Sequence, residues 1–163
     1  MSDPEITIHD LIEDCQLDAV SFIEISAKQR FEKLSSSEVQ QTEASIDPVH
    51  SLQLARSEDD GGFRIRVRTE IDTEPGLIVV DAAAEYSLAA RPSSDYSAEL
   101  LVEFANKVAV FALIPYIRQA IADVTQRVFG TSLLMPMIRR GELEFIPVEE
   151  SPAPQGEKAV LEE

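Results

Sequence analysis

The sequence predicts an α+β fold, a four-stranded antiparallel sheet packed against one long kinked helix, with a short N-terminal helix and a disordered acidic C-terminal tail. Three observations predict it. Two stretches, "FRIRVRTEI" (63–71) and "IVVDAAAEYSLAA" (78–90), alternate apolar and polar residues across a short turn, the pattern of paired strands with one buried face. Apolar residues at helical spacing then run from Leu101 to Val128, giving the second layer that such a sheet needs. Charge is concentrated at the ends: residues 1–18 carry six acids and no Lys or Arg, and residues 142–163 carry seven acids and Lys158, so the ends hold most of the net charge of −16.

In "TIHDLIEDCQ" (7–16), Ile8, Leu11, Ile12 and Cys15 recur at i, i+3, i+4 and i+7 behind Thr7 as N-cap, which predicts a short amphipathic helix with Cys15 on its apolar face. From Leu17 to Phe31 the pattern changes to that of a strand. Ile23, Ile25 and Ala27 face one way and Glu24, Ser26 and Lys28 the other, while Val20 and Phe22 fall out of phase, which predicts a bulge near Phe22. The polar stretch 32–47 reads as a long crossover loop ending at Asp47-Pro48. A three-strand meander follows. "VHSLQLA" (49–55) leads through "SEDDGG" into the strand at 63–71, and Pro75-Gly76 has the composition of the central pair of a type II turn before the strand at 78–90. Val80, Ala82, Ala84, Tyr86 and Leu88 share one face of that strand.

Asp95 and Ser97 are both suited to cap the main helix, and Gly130 suits its left-handed C-terminal position. The apolar stripe runs through Leu101, Phe104, Val108, Phe111, Ile114, Ile117, Ile121, Val124 and Val128, and its spacing slips by one residue between Phe111 and Ile114. Pro115 lies beside the slip. Proline lacks an amide proton and crowds the carbonyl four residues back, so a kink or break between two helical pieces is predicted there. Beyond Gly130, "TSLLMPMIRRGELEF" is apolar but interrupted, and the last segment has the composition of a disordered tail. The predicted organisation is an N-terminal extension (1–16), one domain (17–146) and an acidic tail (147–163).

The longest uncharged apolar run, Val108 to Ile117, is about half of a membrane span, and the acidic N-terminus is unlike a secretory signal, so a cytoplasmic protein is expected. The lone Cys15 has no internal disulfide partner, in keeping with that compartment. A charge of −16 repels phosphate backbones and anionic lipid, which argues against nucleic acid and direct membrane binding. His9 and His50 stand in no metal-binding spacing, and no nucleotide-binding or nucleophile-elbow motif occurs, so no metal, no cofactor and no catalytic residue are predicted. The row Arg64, Arg66, Arg68 reads as a solvated strand face cross-paired with acids. What remains unusual is surplus apolar material. The helix and "SLLMPM" offer more than one two-layer core needs, which points to a subunit interface with an apolar groove, and Met135 and Met137 would suit a groove that accepts varied sequences.

The segment "FANKVAVFALIPYIRQAIADVTQRVFGTSLLMP" (104–136) resembles the second half of the SecB export chaperones, with Pro115, Tyr116 and Arg118 matching their Pro-Tyr-x-Arg element and Ile114 standing where an aromatic is usual. The order of strands, long loop and helix over 17–140 is similar too. The resemblance implies an ATP-independent holdase: a homotetramer, built as a dimer of dimers, that holds unfolded preproteins in apolar grooves and keeps them translocation-competent for export. The groove residues expected are Phe104, Phe111, Ile114, Tyr116, Leu133, Leu134, Met135 and Met137. The resemblance also implies docking to the SecA motor through sheet acids, here Glu24 and Asp81, although Lys28 stands where a further acid is usual. Family members end in a second helix, which prolines at 147, 152 and 154 shorten or remove here. The amphipathic N-terminal helix resembles SecB-like chaperones that guard an antitoxin in toxin–antitoxin systems, which is the alternative role. A domain of another class, enclosing a small ligand among Tyr116, Arg118 and His50, is the remaining reading.

Overall fold

The computed structural model describes residues 5–30, 47–139 and 141–146. The predicted acidic tail, and most of the predicted crossover loop, lie outside the described residues. Four strands, β1 (Cys15–Gln29), β2 (Val49–Arg56), β3 (Gly62–Asp72) and β4 (Gly76–Leu88), form one antiparallel sheet in the order β1-β4-β3-β2. The consecutive pairs β2–β3 and β3–β4 are the predicted meander; β1 and β2 become the two edges because a long connection separates them.

Period-2 alternation sorts the sheet into two faces. Phe63, Ile65, Val67 and Ile71 of β3 and Ile78, Val80, Ala82, Ala84 and Tyr86 of β4 are buried on one of them. On β1 the register shifts between Phe22 and Glu24, which is the predicted bulge, and also between Leu17 and Ala19. The bulge at Ile23 changes the phase, so Val20, Phe22, Ile25 and Ala27 all pair with core-facing residues of β4 (Ala84, Ala82, Val80 and Ile78). Ile23 itself leaves the side that simple alternation assigns it.

The hairpin at Pro75-Gly76 differs from expectation. A type II turn needs a positive φ at its glycine, yet Gly76 has none and the two-residue loop is Glu74-Pro75, closed by hydrogen bonds in both directions between Thr73 and Gly76 at 3.0 and 3.2 Å. Gly76 is required for a different reason. A Cβ there would sit 1.8 Å from the Lys28 carbonyl oxygen, so only glycine lets β1 come this close. In the β2–β3 loop, Asp60 takes the left-handed conformation (φ 60°), held by Ser93 and Ser94.

The N-terminal helix α1 (Ile8–Asp14) opens with a capping box between Thr7 and Asp10 and buries Leu11. It ends one residue before Cys15, which begins β1 and is therefore not on the helix face predicted for it. The Asp14 carboxylate accepts from the amides of Ala89, Ala90 and Arg91 and from the Tyr96 hydroxyl at 2.7 Å, pinning α1 to the end of β4. Desolvation opposes its charge, but these donors outweigh it and hold its pKa below the usual carboxylate range.

The main helix starts as α2 (Ala98–Phe104), with Ser97 Oγ accepting from the Leu100 amide, and ends as α3 (Val110–Phe129), with Gly130 at φ 76°. Both predicted caps are present. The predicted break at Pro115 is not: α3 runs through it, and the irregularity lies earlier, in a π turn over Ala105–Ala109 that joins α2 to α3. A π turn inserts one residue into the helical register, which is the physical origin of a slip in the stripe. Consequently Leu101, Phe104, Ala105, Ala109, Leu113, Ile117 and Ile121 face the sheet, and Phe111 turns outward. The helix is long and apolar enough, by length and composition, to cross a membrane, and half of its most apolar window is buried in the protein. Phe104 meets the stacked pair Phe63–Tyr86 edge-on, with ring centroids 5.5 and 5.1 Å away. After Gly130 no further helix occurs among the described residues; the chain returns over the core through Leu133, Met135, Ile138, Leu143 and Phe145.

Candidate functional site

Because α3 packs over β4 and β1, the outer edge of β1 and the adjoining face of α3 are left facing each other across an open groove. The cavity there has a volume of about 470 Å³ and is lined by Phe22, Ile25, Tyr116, Ala120 and Val124, with Gln119, Asp123 and Arg127 at the rim. Phe22, Ile25 and Tyr116 are 40%, 45% and 48% exposed, a large apolar surface for one patch of a single chain. Beside it β1 offers fifteen residues of edge strand, with Leu17 and Ile23 also exposed and no partner strand on that side among the described residues. An extended backbone could add to such an edge, and apolar side chains could enter the groove next to it.

Of the eight groove residues expected from the sequence, Tyr116 alone lines this cavity. Phe104 is fully buried in the aromatic cluster, Met135 is 1% exposed and Ile114 8%, so these three are core residues within the chain. The reasons are that Phe104 shares the buried face of α2 with Leu101, that the π turn brings Ile114 inward, and that the return of the chain after Gly130 carries Met135 under α3. Leu134 and Met137 flank Met135 at 74% and 78% exposure and Leu133 is half-buried. Phe22 and Ile25 were missed because the local pattern marks a strand without showing that this strand is an edge. The bulge and the edge position are what expose them.

Phe111 lines a second cavity of about 310 Å³ with Asn106, Lys107, Gly141, Leu143 and Glu144. Asn106 lies in the π turn. Its side-chain NH₂ donates to the Phe145 carbonyl at 2.9 Å and its carbonyl oxygen accepts from the Phe145 amide at 2.8 Å, so one side chain pairs with both polar groups of one residue.

The open face of the sheet is polar and internally neutralised. Asp81 is fully buried and receives Arg66 at 2.8 and 2.5 Å, with Arg68 at 3.5 Å; Arg68 also binds Glu24 at 2.8 Å and Glu70 at 2.9 Å. Hydrogen bonds from Arg66 lower the pKa of Asp81, and one from Arg68 lowers that of Glu24. Arg64 reaches Glu85 at 3.7 Å, completing the cross-paired row read from the sequence. Glu24 and Asp81 are thus neighbours across β1 and β4, as a shared docking face requires, but both are engaged by arginines of β3.

Tyr116, Arg118 and His50 do not converge. His50 Nδ1 is 2.8 Å from Thr69 Oγ1 on the β2 side of the sheet, the edge opposite Tyr116. Burial lowers the His50 pKa and favours the neutral ring. Arg118 donates to the Met135 carbonyl at 3.2 Å and so fastens the returning chain to α3. Among the described residues no group of three His, Cys, Asp or Glu side chains could hold a metal.

No family model matches the chain. It is 27% identical over 100 residues to the SecB-like chaperone SmegB of Mycolicibacterium smegmatis, an alignment spanning 61% of this chain and 67% of that protein. Its fold is similar to that of the SecB-like chaperone Rv1957 of Mycobacterium tuberculosis, solved in complex with a ChAD peptide from the HigA1 antitoxin; the TM-score is 0.64 at 18% identity, covering 80% of this chain and 92% of the other. In sequence and in fold alike, the chain is similar to the SecB-like chaperones.

Proposed function

We propose that the protein is an ATP-independent holdase that captures non-native polypeptide segments in the groove between β1 and α3. The observation that carries this reading is the groove itself, which places Phe22, Ile25, Tyr116, Ala120 and Val124 beside a strand edge that has no partner among the described residues. Apolar side chains supply affinity without fixed sequence, and the edge offers backbone hydrogen bonds that every client possesses. No group in the groove is arranged for acid–base or nucleophilic chemistry. Leu133, Leu134, Met137 and Phe111 extend the apolar surface available to a client. The working form is a homotetramer in the cytoplasm. The test is aggregation of a reduced, unfolded model protein: near-stoichiometric amounts suppress it, and a folded protein that leaves aggregation unchanged rules the reading out.

Of the two clients a SecB-like chaperone could serve, an antitoxin fits better than exported preproteins in general. The favouring observation is electrostatic: basic groups of a partner docking on Glu24 and Asp81 would have to displace Arg66 and Arg68, giving back charge-assisted hydrogen bonds at a buried carboxylate. The fold similarity to a chaperone holding an antitoxin peptide supports the same choice. Affinity purification from the native host separates the roles. One small partner in stoichiometric yield fits antitoxin protection; recovery of SecA with many preproteins fits export.

A further inference from the structure

The segment Leu143–Ile146 lies on the main helix in the manner of a bound peptide. Its side chains alternate: Leu143 and Phe145 are half-buried against the core cluster, while Glu144 and Ile146 point out, the pattern of an extended chain with one face docked. Both hydrogen bonds between Asn106 and Phe145 go to the Phe145 backbone, one to its carbonyl and one from its amide. A side-chain amide carries the same donor and acceptor as a peptide group. It therefore reads backbone and is indifferent to the side chain on it. The π turn is what puts this amide on the helix surface at that point, and a cavity bordered by Phe111 and Lys107 continues beyond the docked residues.

We propose that Asn106 and the surface around it form a second client subsite, selective for an extended segment with apolar residues two apart, and that Leu143–Ile146 occupies it as a built-in surrogate until a client displaces it. The inference rests on the holdase reading and adds to it a site remote from the β1 edge. Displacement costs little. The two hydrogen bonds lost by Phe145 are regained by the client backbone, and the apolar area of Leu143 and Phe145 is replaced by the client's own. The occupant is an unfolded chain and not a folded domain, because only an extended backbone offers an unpaired amide and carbonyl on one residue to a single asparagine.

The experiment is hydrogen exchange on the full-length wild-type protein, with and without a reduced, carboxymethylated unfolded polypeptide at saturating concentration. The expected result is faster exchange across residues 141–146, led by the Phe145 amide, when client is present. Slower or unchanged exchange overturns the proposal, since the segment would then be part of the client surface or unrelated to it. A second arm compares client affinity, by fluorescence anisotropy, of wild type, the double variant Leu143→Ala/Phe145→Ala and Asn106→Leu. The double variant should bind client several-fold more tightly, and Asn106→Leu several-fold more weakly. Equal affinities in all three overturn the subsite but leave the holdase intact; no binding by any of them removes both.

Discussion

Asp81 has no exposed surface and both its oxygens rest on arginines of β3, so its contribution to the fold depends on those partners. Arg66→Ala should lower stability by about 2–3 kcal/mol, less than the full penalty of an orphaned buried charge because Arg68 remains at 3.5 Å. The same pair predicts acid sensitivity. A carboxylate whose folded pKa lies below its unfolded value of about 3.8 adds stability above that value and loses it as pH falls toward the folded pKa. Thermal unfolding should therefore weaken progressively below about pH 4, with Asp14 and Asp60 acting in the same direction, and Arg66→Ala should flatten that decline. A decline of equal steepness in the variant would show that other acids dominate. Two aromatic residues that look alike in sequence differ just as sharply. Phe104→Ala empties the aromatic cluster and should cost about 3–5 kcal/mol, whereas Tyr116→Ala should leave stability within about 1 kcal/mol and weaken client binding instead. Denaturant unfolding alongside anisotropy separates the two effects.

At the level of elements, strand and helix caps were legible because each depends on a few neighbouring residues. Ser97, Gly130, the alternation of β3 and β4 and the bulge on β1 are all local signals. The π turn was legible only as a slip in spacing. Proline offered an obvious cause nearby, but the inserted residue lies at Ala105–Ala109, where no residue type marks it. The groove was harder still, because Phe22 and Ile25 are exposed by the sheet order, and β1 becomes an edge only through pairing with β4 across some sixty residues. Met135 and Asn106 acquire their roles from the return of the chain after Gly130, a path without periodicity. Two predictions belong to this level. Gly76→Ala should prise β1 from β4 and cost more than about 2 kcal/mol, since its Cβ would meet rigid backbone; a neutral result would mean that the strand end shifts freely. Deleting Lys107, an exposed residue of the π turn, should restore an uninterrupted α-helix with unchanged helix content by circular dichroism while releasing residues 141–146 to exchange.

For the whole molecule the deciding quantity is how much apolar surface one chain leaves uncovered. Phe22, Ile23, Ile25, Tyr116, Leu134 and Met137 are all at least 40% exposed, and the β1 edge runs through the middle of the first group. A long, flat, apolar edge strand left bare invites indiscriminate pairing, so a stable protein must cover it or deter neighbours by charge. The charge device is present in this sequence. The net charge of −16 sits mainly at the two ends of the sequence and much less of it between them, so long-range repulsion coexists with a surface able to associate at close range. Self-association through apolar contacts against that repulsion has a definite salt signature. Salt screens the repulsion within roughly 10 Å at 0.1 M and leaves apolar burial intact, so the fraction of tetramer measured by light scattering should rise between low and physiological ionic strength. Phe22→Glu together with Ile25→Glu should abolish assembly at every salt concentration while the monomer stays folded, because both side chains already face solvent in the single chain. A tetramer that dissociates as salt rises would instead be held by ion pairs, and the apolar edge would then be free for clients alone.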